Sequence, residues 1–312
     1  MTNFSLSYSL SYSGQWLNRA HQIRQNPQWV KAVQDKQDSL FIPLWHNQCF
    51  LALPADAPII LSQERFHQLS LGSEAFFLGL DQEQAVFAVD LSAIPQAVAL
   101  QLLQASMVIE IRALLGKFTA KDGDVLAYAR GLLYWHRRQQ FCGVCGQKTI
   151  SKNGGHFRAC VHQDCSTLFF PQIAPAVIML VELPGNPVRC LLARHQGSAE
   201  GRYSTLAGFV DIGESLENAV KREVMEEAGL VVTQVTYQAS QAWPFPSGLM
   251  VGFRAQAASS AFVLDKEELV EARWFTVAEL QQRLQNQGSG HLPFSSDSIE
   301  KFLVENWVND HS

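Results

Sequence analysis

The stretch from Gly208 to Leu230 is the feature that most constrains this chain, because it predicts a glycine-flanked loop that leads into a helix. Ser215 is a good helix N-cap, since its hydroxyl can accept a hydrogen bond from an N–H of the first turn. Gly229 can end the helix because glycine adopts the left-handed conformation without strain. Apolar residues recur between them at helical spacing and predict a face that packs on a core: Leu216, Ala219, Val220 and Val224.

Three glutamates share one side of this predicted helix. Glu226 and Glu227 follow Glu223 by three and four residues, so their side chains are neighbours. Glu223 and Glu227 fall on or beside the apolar face, where burial of an unpaired charge costs on the order of several kcal/mol. A solvated acidic face is the commoner arrangement for a glutamate-rich helix, but here a hard divalent cation such as Mg²⁺ would relieve the repulsion.

The fixed residues of this stretch resemble the Nudix box, written Gx5Ex7REUxEExGU with U an aliphatic residue. Every fixed position is present without a gap: Gly208, Glu214, Arg222, Glu223, Val224, Glu226, Glu227, Gly229 and Leu230. The resemblance to Nudix hydrolases implies an α/β/α sandwich with a mixed sheet, and hydrolysis of a nucleoside diphosphate linked to a further group. It also implies that the three helix glutamates are catalytic and hold Mg²⁺ or Mn²⁺. Arg222 is placed to orient the acidic cluster, and Glu214 to tie the loop to the helix.

Length and composition favour an ordinary globular protein with room for two domains: 312 residues, of which 47% are hydrophobic and 17% charged. A formal net charge of −5 gives no support to nucleic-acid binding driven by bulk electrostatics. No apolar run approaches the roughly 20 residues that span a bilayer. Residues 1–9 lack the pattern of a secretory signal. Four of the six cysteines cluster, which suits metal binding in a reducing compartment and predicts a cytoplasmic protein.

Two cysteine pairs predict a second metal site. Two residues separate Cys142 from Cys145, four separate Cys160 from Cys165, and 14 lie between the pairs. Four thiolates fill a tetrahedral Zn²⁺ site and leave no open position, so the pattern predicts a structural zinc ribbon. The wider second pair leaves open that His162 replaces one cysteine. The basic residues of the ribbon loop are most simply solvated surface: Lys148, Lys152, His156 and Arg158.

The chain is therefore predicted to be of the α/β class in three parts: a small α/β domain at 1–124, a connector helix and zinc ribbon at 125–170, and the hydrolase domain at 171–312. Short aromatic or β-branched runs in the first domain predict strands at 41–45, 57–61, 75–80 and 85–91. Helices are predicted at 97–115 and, after a break at Asp122–Asp124, at 125–140. The first domain could be a degenerate relative of the hydrolase domain, although no internal repeat demonstrates it.

Residues 240–250 follow the box helix and interleave aromatic residues with prolines. Proline restricts its own backbone and that of the preceding residue, so Trp243 and Phe245 have little entropy to lose on stacking against a base. Gln241 is placed to read the edge of that base. The segment resembles the SQPWPFPxS signature of the NADH/NAD pyrophosphatases, a Nudix subfamily that also carries a zinc ribbon. Ala242 replaces the first proline of that signature, and Gly248 its final serine.

The resemblance to this subfamily implies further site residues. Phe209 matches a second stacking residue, and Phe170 stands where relatives commonly have a tyrosine. Glu268 matches an additional metal ligand, with Glu271 as the alternative.

The implied activity is hydrolysis of NADH or NAD⁺ to AMP and nicotinamide mononucleotide by a homodimer, with NAD-capped RNA as a further substrate. Two alternatives stand beside it. One is a Nudix hydrolase of another nucleoside diphosphate derivative, such as ADP-ribose or a dinucleoside polyphosphate. The other is a non-enzymatic nucleotide sensor, against which the intact acidic helix argues because a binder has no need of so unfavourable a cluster.

Overall fold

In a computed structural model of the protein, the described residues are 10–52, 57–69, 72–114, 119–285 and 298–312. They form two compact units. The N-terminal unit comprises Tyr12–Gln172 and the turn Pro244–Ser247. The C-terminal unit comprises the described residues within Met1–Ser11, Ile173–Trp243 and Gly248–Ser312. The finer division at 124 and 170 stays a prediction. Residues 1–9, which lack the pattern of a secretory signal, lie outside the described residues.

The N-terminal unit contains a six-stranded sheet in the order β4-β5-β1-β2-β6, with β3 paired to β1. Its strands are β1 (Leu40–Trp45), β2 (Gln48–Ala52), β3 (Leu61–Ser62), β4 (Ala75–Asp81), β5 (Gln84–Asp90) and β6 (Ala105–Glu110). Its helices are α1 (Pro27–Gln34), α2 (Gln63–Gln68), α3 (Gln96–Leu103) and α4 (Ala120–Arg138). β1 lies parallel to β5 and antiparallel to β2 and β3. Buried side chains fill both faces of β1, so this sheet has a core on each side.

The predictions for this unit needed three corrections. The helix predicted at 97–115 ends at Leu103, because Gln104 takes a left-handed conformation with φ of 53°, and β6 follows as the edge partner of β2. Tertiary strand pairing outweighs the helical spacing there; Leu115 lies outside the described residues. Of the strand predicted at 57–61, only Leu61 belongs to a strand, and Pro58 makes an isolated bridge.

The third correction concerns the predicted break at Asp122–Asp124, which lies inside α4. Thr119 caps this helix by accepting a hydrogen bond from the N–H of Asp122. Asp124 is buried and accepts hydrogen bonds from the Gly14 N–H at 2.8 Å and the Trp16 indole at 2.7 Å. The polar run therefore anchors the N-terminal segment to the helix instead of interrupting it.

A three-stranded antiparallel ribbon follows α4 within the same unit. Its strands are β7 (Thr149–Lys152), β8 (Phe157–Cys160) and β9 (Leu168–Phe169). Cys142 and Cys145 precede β7, Cys160 is the last residue of β8, and Cys165 lies between β8 and β9. All six cysteines of the chain are free of disulfides.

The C-terminal unit contains a second six-stranded sheet, in the order β13-β14-β10-β11-β15 with β12 paired to β10. Its elements are β10 (Ala174–Leu183), β11 (Arg189–His195), β12 (Leu206–Phe209), α5 (Leu216–Ala228), β13 (Val232–Trp243), β14 (Gly248–Ala257), β15 (Leu269–Thr276), α6 (Val277–Gln285) and α7 (Ile299–Asp310). Odd-numbered residues of β10, such as Val177, pack in one core with α5, while Ile178 and Leu180 pack in another with α7. The predicted α/β/α sandwich with a mixed sheet is confirmed.

The two sheets have the same topology, strand for strand. In each, the strands run fourth-fifth-first-second-sixth in chain order, and the third pairs with the first. In each sheet, the first and fifth strands are parallel, and all the remaining strand pairs are antiparallel. The shared topology supports a kinship of the two domains, which the sequence leaves open because it shows no internal repeat. Among the described residues, no helix combines the length and apolar character needed to cross a lipid bilayer.

Candidate active site and metal centre

The helix α5 has the predicted caps and the predicted apolar face. The Ser215 hydroxyl accepts a hydrogen bond from the Asn218 N–H, and Gly229 ends the helix in the left-handed conformation with φ of 61°. Ala219, Val220 and Val224 are fully buried against the sheet. The glutamates of α5 are therefore held on a rigid element whose rotation about its axis is fixed by packing.

Gly208, at the end of β12, makes room for the first glutamate. A Cβ atom at this position would lie 1.9 Å from Cδ of Glu223, which is far inside contact distance. Sequence reasoning treated Gly208 only as the start of a loop and missed this contact. The signal that could have found it is the fixed glycine of the motif itself, because glycine permits close approach of a backbone to another group.

Arg222 joins the loop to the acidic side of α5 through a fan of hydrogen bonds. Its Nε and Nη2 donate to the two oxygens of Glu214 at 3.0 and 2.8 Å. Its Nη1 donates to Glu223 at 2.8 Å and to Glu226 at 2.9 Å, and Nη2 also reaches the Phe209 carbonyl at 2.9 Å. This geometry agrees with the orienting role inferred for Arg222 and with the loop-tying role inferred for Glu214.

Glu227 is the unusual member of the cluster, because it is only 2% exposed and neither carboxylate oxygen has a hydrogen-bond partner among the described residues. Burial, and then the charges of Glu223 and Glu268, raise the pKa of Glu227 to about 8. Burial also raises the pKa of Glu223, with the charges of Glu226 and Glu268 adding to the effect.

The same electrostatic coupling separates the two candidates for the additional ligand. The charge of Glu268 acts on both Glu223 and Glu227, so it lies with the cluster, and its side chain is exposed. Glu271 instead accepts hydrogen bonds from Tyr203 at 2.7 Å and from Arg194 at 3.1 Å. The arrangement therefore favours Glu268 over Glu271.

The carboxylates have the chemistry that a hard divalent cation requires, although they are spaced too widely to enclose an ion by themselves. A buried carboxylate without a protein donor, beside two further carboxylates, is stabilised by a cation that prefers oxygen ligands. Among the described residues, no three carboxylates of this cluster place one oxygen each within 4.8 Å of one another. Mg²⁺ tolerates this because it keeps several water ligands and binds proteins through one or two carboxylates.

The four predicted zinc ligands meet at the end of the ribbon. The Sγ atoms of Cys142 and Cys165 are 3.7 Å apart, those of Cys145 and Cys160 are 3.4 Å apart, and all four lie within 4.8 Å of one another. Four sulfurs about 2.3 Å from a single Zn²⁺ would be separated by about 3.8 Å at the corners of a tetrahedron. The cluster therefore fits a closed zinc site. The ring of His162 is not part of this group, so the alternative in which it replaces a cysteine has no support.

The predicted stacking residues are divided between the two units. In the C-terminal unit, Phe209 is 67% exposed and Trp243 is half-buried at the end of β13. In the N-terminal unit, Phe245 packs edge-on against Tyr12 with ring centroids 5.0 Å apart, and the Arg130 guanidinium lies 4.9 Å from its centroid. Phe170 is 54% exposed and neighbours Phe157. Their contacts with a substrate stay predictions.

Gln241 is placed in a way that the sequence did not predict. Its side chain is fully buried, with Oε1 accepting a hydrogen bond from the Ile299 N–H at 2.8 Å and Nε2 donating to the Ser11 carbonyl at 3.2 Å. The amide therefore connects β13 to the first turn of α7 and to the N-terminal segment. It does not present a free edge to a base.

The site and the fold agree with the comparisons to known proteins. Residues 172–295 match the family model of the NUDIX domain, and residues 38–135 match that of the NADH pyrophosphatase-like rudimentary NUDIX domain. An NAD-capped RNA hydrolase NudC of Pseudomonas syringae pv. tomato is 37% identical over 223 residues, which cover 70% of this chain and 75% of that protein. The chain belongs to the Nudix hydrolase family.

Two human relatives narrow the resemblance. The NAD-capped RNA hydrolase NUDT12 is 40% identical over 196 residues, covering 60% of this chain and 42% of that protein. The mitochondrial NAD(P)H pyrophosphatase NUDT13 is 39% identical over 212 residues, covering 64% of this chain and 59% of that protein. The chain thus spans less than two thirds of the length of these curated relatives.

Proposed function

We propose that this protein hydrolyses the pyrophosphate bond of NADH or NAD⁺ to AMP and nicotinamide mononucleotide. The observation that carries the hydrolytic part is Glu227, which is buried on the Nudix helix without a hydrogen-bond partner among the described residues. The charges of Glu223, on the same helix, and of Glu268, in the turn before β15, act on it. The choice of substrate rests on relatives named NAD-capped RNA hydrolase and NAD(P)H pyrophosphatase. The Trp-Pro-Phe-Pro segment at 243–246 supports the same choice.

In this proposal the carboxylates of Glu223, Glu226, Glu227 and Glu268 hold Mg²⁺ or Mn²⁺. A divalent ion bound there would neutralise charge on the diphosphate and lower the pKa of an attacking water. Arg222 keeps Glu223 and Glu226 in fixed rotamers through its hydrogen bonds to both. Trp243 and Phe209, both in the C-terminal unit, offer aromatic faces for a base.

The four cysteines are proposed to hold a structural Zn²⁺, on the strength of their tetrahedral spacing. Free thiols and a thiolate metal site suit a reducing compartment, so we propose a cytoplasmic location. A homodimer is proposed from family resemblance, and light scattering of the purified chain would test it by giving about twice the mass of 34.8 kDa.

The activity can be tested by product analysis with Mg²⁺ or Mn²⁺ and a panel of substrates: NADH, NAD⁺, ADP-ribose, FAD and NAD-capped RNA. We expect NADH and NAD⁺ to be cleaved fastest, to AMP and nicotinamide mononucleotide, because relatives carry the names NAD(P)H pyrophosphatase and NAD-capped RNA hydrolase. Faster cleavage of ADP-ribose or FAD than of NADH and NAD⁺ would contradict the substrate assignment. Binding without cleavage of any of them would favour the nucleotide sensor.

A matched pair of neighbouring glutamates tests the metal set. Glu268→Gln removes a carboxylate that acts on Glu223 and Glu227, whereas Glu267→Gln removes one from the same exposed turn. We expect the first variant to need a higher Mg²⁺ concentration for half-maximal rate, and the second to behave as wild type. Equal Mg²⁺ dependence in both variants would exclude Glu268 from the site.

A further inference from the structure

The N-terminal unit contains a cleft of about 450 Å³ that the hydrolytic site does not use. It is lined by residues of the rudimentary Nudix sheet, of α4 and of the ribbon, among them Glu74, Asp90, Arg137, Lys148 and Arg158. A cleft of this volume falls within the range of small-molecule sites in proteins.

Arg158 is the feature that distinguishes this cleft, because it is a buried cation whose hydrogen-bond partners among the described residues are all neutral. The charge of Glu74, which lines the same cleft, acts on Arg158 without forming an ion pair with it. Arg158 is 8% exposed, contrary to the solvated position predicted from the sequence. Its Nε and Nη2 donate to the hydroxyl and the carbonyl of Thr149, each at 2.8 Å, and its Nη1 lies 2.9 Å from Nδ1 of His136. No carboxylate among the described residues lies within ion-pair distance of the guanidinium.

The ring of His136 is neutral and adds no charge to the cleft. Its Nε2 lies 2.8 Å from the Gly155 carbonyl, which only accepts, so this nitrogen carries the proton and Nδ1 accepts from Arg158. Burial lowers the pKa of His136 to about 3, so the ring is neutral at physiological pH. Three of the five guanidinium N–H groups are thus used on neutral acceptors, which leaves two for a ligand.

The other charges at the cleft leave an excess of positive charge. Arg137 pairs with Asp90 at 3.1 Å, and Asp90 also accepts a hydrogen bond from Ser92, so these charges offset each other. Lys148 is exposed and makes no ion pair among the described residues. Glu74 offsets one of the two remaining cations, so the lining carries a net charge of about +1 in a chain whose formal charge is −5.

We propose that this cleft binds a small phosphorylated ligand of mononucleotide size, with its phosphate on Arg158 and Lys148. A buried guanidinium without a hydrogen-bonded counter-ion is unfavourable, and a phosphate supplies the direct charge and the acceptors that Glu74, which makes no ion pair with Arg158, does not. Phe141 lines the same cleft, is 57% exposed and offers a flat face for a base. The site is separate from the carboxylates of α5, and the proposal does not depend on the hydrolytic function.

Isothermal titration of the full-length, zinc-loaded chain with AMP tests the site, in buffer without Mg²⁺ or Mn²⁺ so that the acidic cluster has no cation to attract phosphate. Lys148→Gln should weaken AMP binding about tenfold, the size expected for loss of one charge-assisted contact. Its matched control is Lys152→Gln, an exposed lysine of the same ribbon that does not line the cleft and should bind AMP as wild type does. Glu74→Gln should tighten binding, since it removes a negative charge that repels the phosphate of AMP.

Ligands without one part of AMP complete the design. Inorganic phosphate should compete with AMP for the cleft, while adenosine, which lacks the phosphate, should not bind at the same concentration. Unchanged AMP affinity in Lys148→Gln, or an equal loss in Lys152→Gln, would overturn the proposal. So would adenosine binding as tightly as AMP.

Discussion

The two six-stranded sheets share a strand order but differ in the helix that follows the third strand. In the C-terminal unit that helix is α5, which has 13 residues and carries three of the four glutamates of the box. In the N-terminal unit it is α2, which has six residues, buries Phe66 and contains Glu64 as its one carboxylate. Apolar strands are thus sufficient to specify the topology, whereas the chemistry depends on one helix. The match of residues 38–135 to a rudimentary NUDIX domain agrees with this contrast between a kept strand order and a shortened helix.

The two units also differ in how a metal would serve them. The N-terminal unit offers four thiolates that close around one ion, which stabilises a fold and leaves no open position. The C-terminal unit offers spaced carboxylates, which leave room for water and substrate. The predictions below test this division between a structural and a chemical role, from the largest expected effect to the smallest.

Loss of a zinc ligand should have the largest effect, and it should be confined to the N-terminal unit. Cys160→Ser should abolish stoichiometric zinc and destabilise the ribbon by several kcal/mol, because binding of structural zinc contributes roughly 10–16 kcal/mol in zinc-finger peptides. Metal analysis and hydrogen exchange would show loss of zinc and of amide protection in β7–β9. Cys190→Ala, which removes a thiol from the C-terminal unit, should keep its zinc; full zinc in Cys160→Ser would refute the site.

Replacing a glutamate of α5 and replacing one of α2 should have very different effects on turnover. Glu227→Gln should lower kcat at least about 100-fold, or about 2.7 kcal/mol, because it removes a carboxylate from the metal site. In metal-free buffer the same variant should be at least as stable as wild type, since it replaces a buried carboxyl group whose ionisation is unfavourable and whose oxygens have no hydrogen-bond partner among the described residues. Glu64→Gln, at an exposed position of α2 in the N-terminal unit, should change neither turnover nor stability. Near-normal turnover of Glu227→Gln with Mg²⁺ would remove the cluster from the mechanism.

A smaller effect separates the two roles considered for Gln241. Gln241→Leu should destabilise the C-terminal unit by about 1–3 kcal/mol, because it leaves the buried N–H of Ile299 without its acceptor. Denaturant unfolding would measure this, with Gln234→Leu, an exposed position on the same strand, as the control. A raised KM with unchanged stability would instead support the base-reading role predicted from the sequence.

The smallest effect is expected in the helix that follows the rudimentary sheet. Gly123 lies inside α4, and a Cβ atom there would meet no other group within 4 Å. Gly123→Ala should therefore stabilise the N-terminal unit by roughly 0.5–1 kcal/mol through helix propensity. A rise in the thermal unfolding temperature would show the stabilisation. Gly208→Ala, in contrast, should lower turnover, because its Cβ would displace Glu223. A loss of stability in Gly123→Ala would mean that α4 has less room than the structure indicates.

Much of the site could be predicted from the sequence because its parts are close along the chain. Residues three and four apart on one helix are neighbours whatever the helix packs against, so the glutamate cluster and the position of Arg222 follow from spacing alone. The cysteine pairs obey a similar constraint, since a tetrahedral ion limits how far apart their loops can lie. The caps of α5 are local as well.

Tertiary structure decided whatever joins distant segments. Gln241 bonds to Ser11 and to Ile299, which lie 230 and 58 residues away, so no local pattern could show that its amide is buried. The helical spacing after Gln104 gave way to β6 because β2 offered a strand to pair with. Arg158 was read as surface because its burial depends on α4 and the ribbon packing together. Local chemistry follows from periodicity, but burial is a property of the whole fold, because only packing removes a side chain from water.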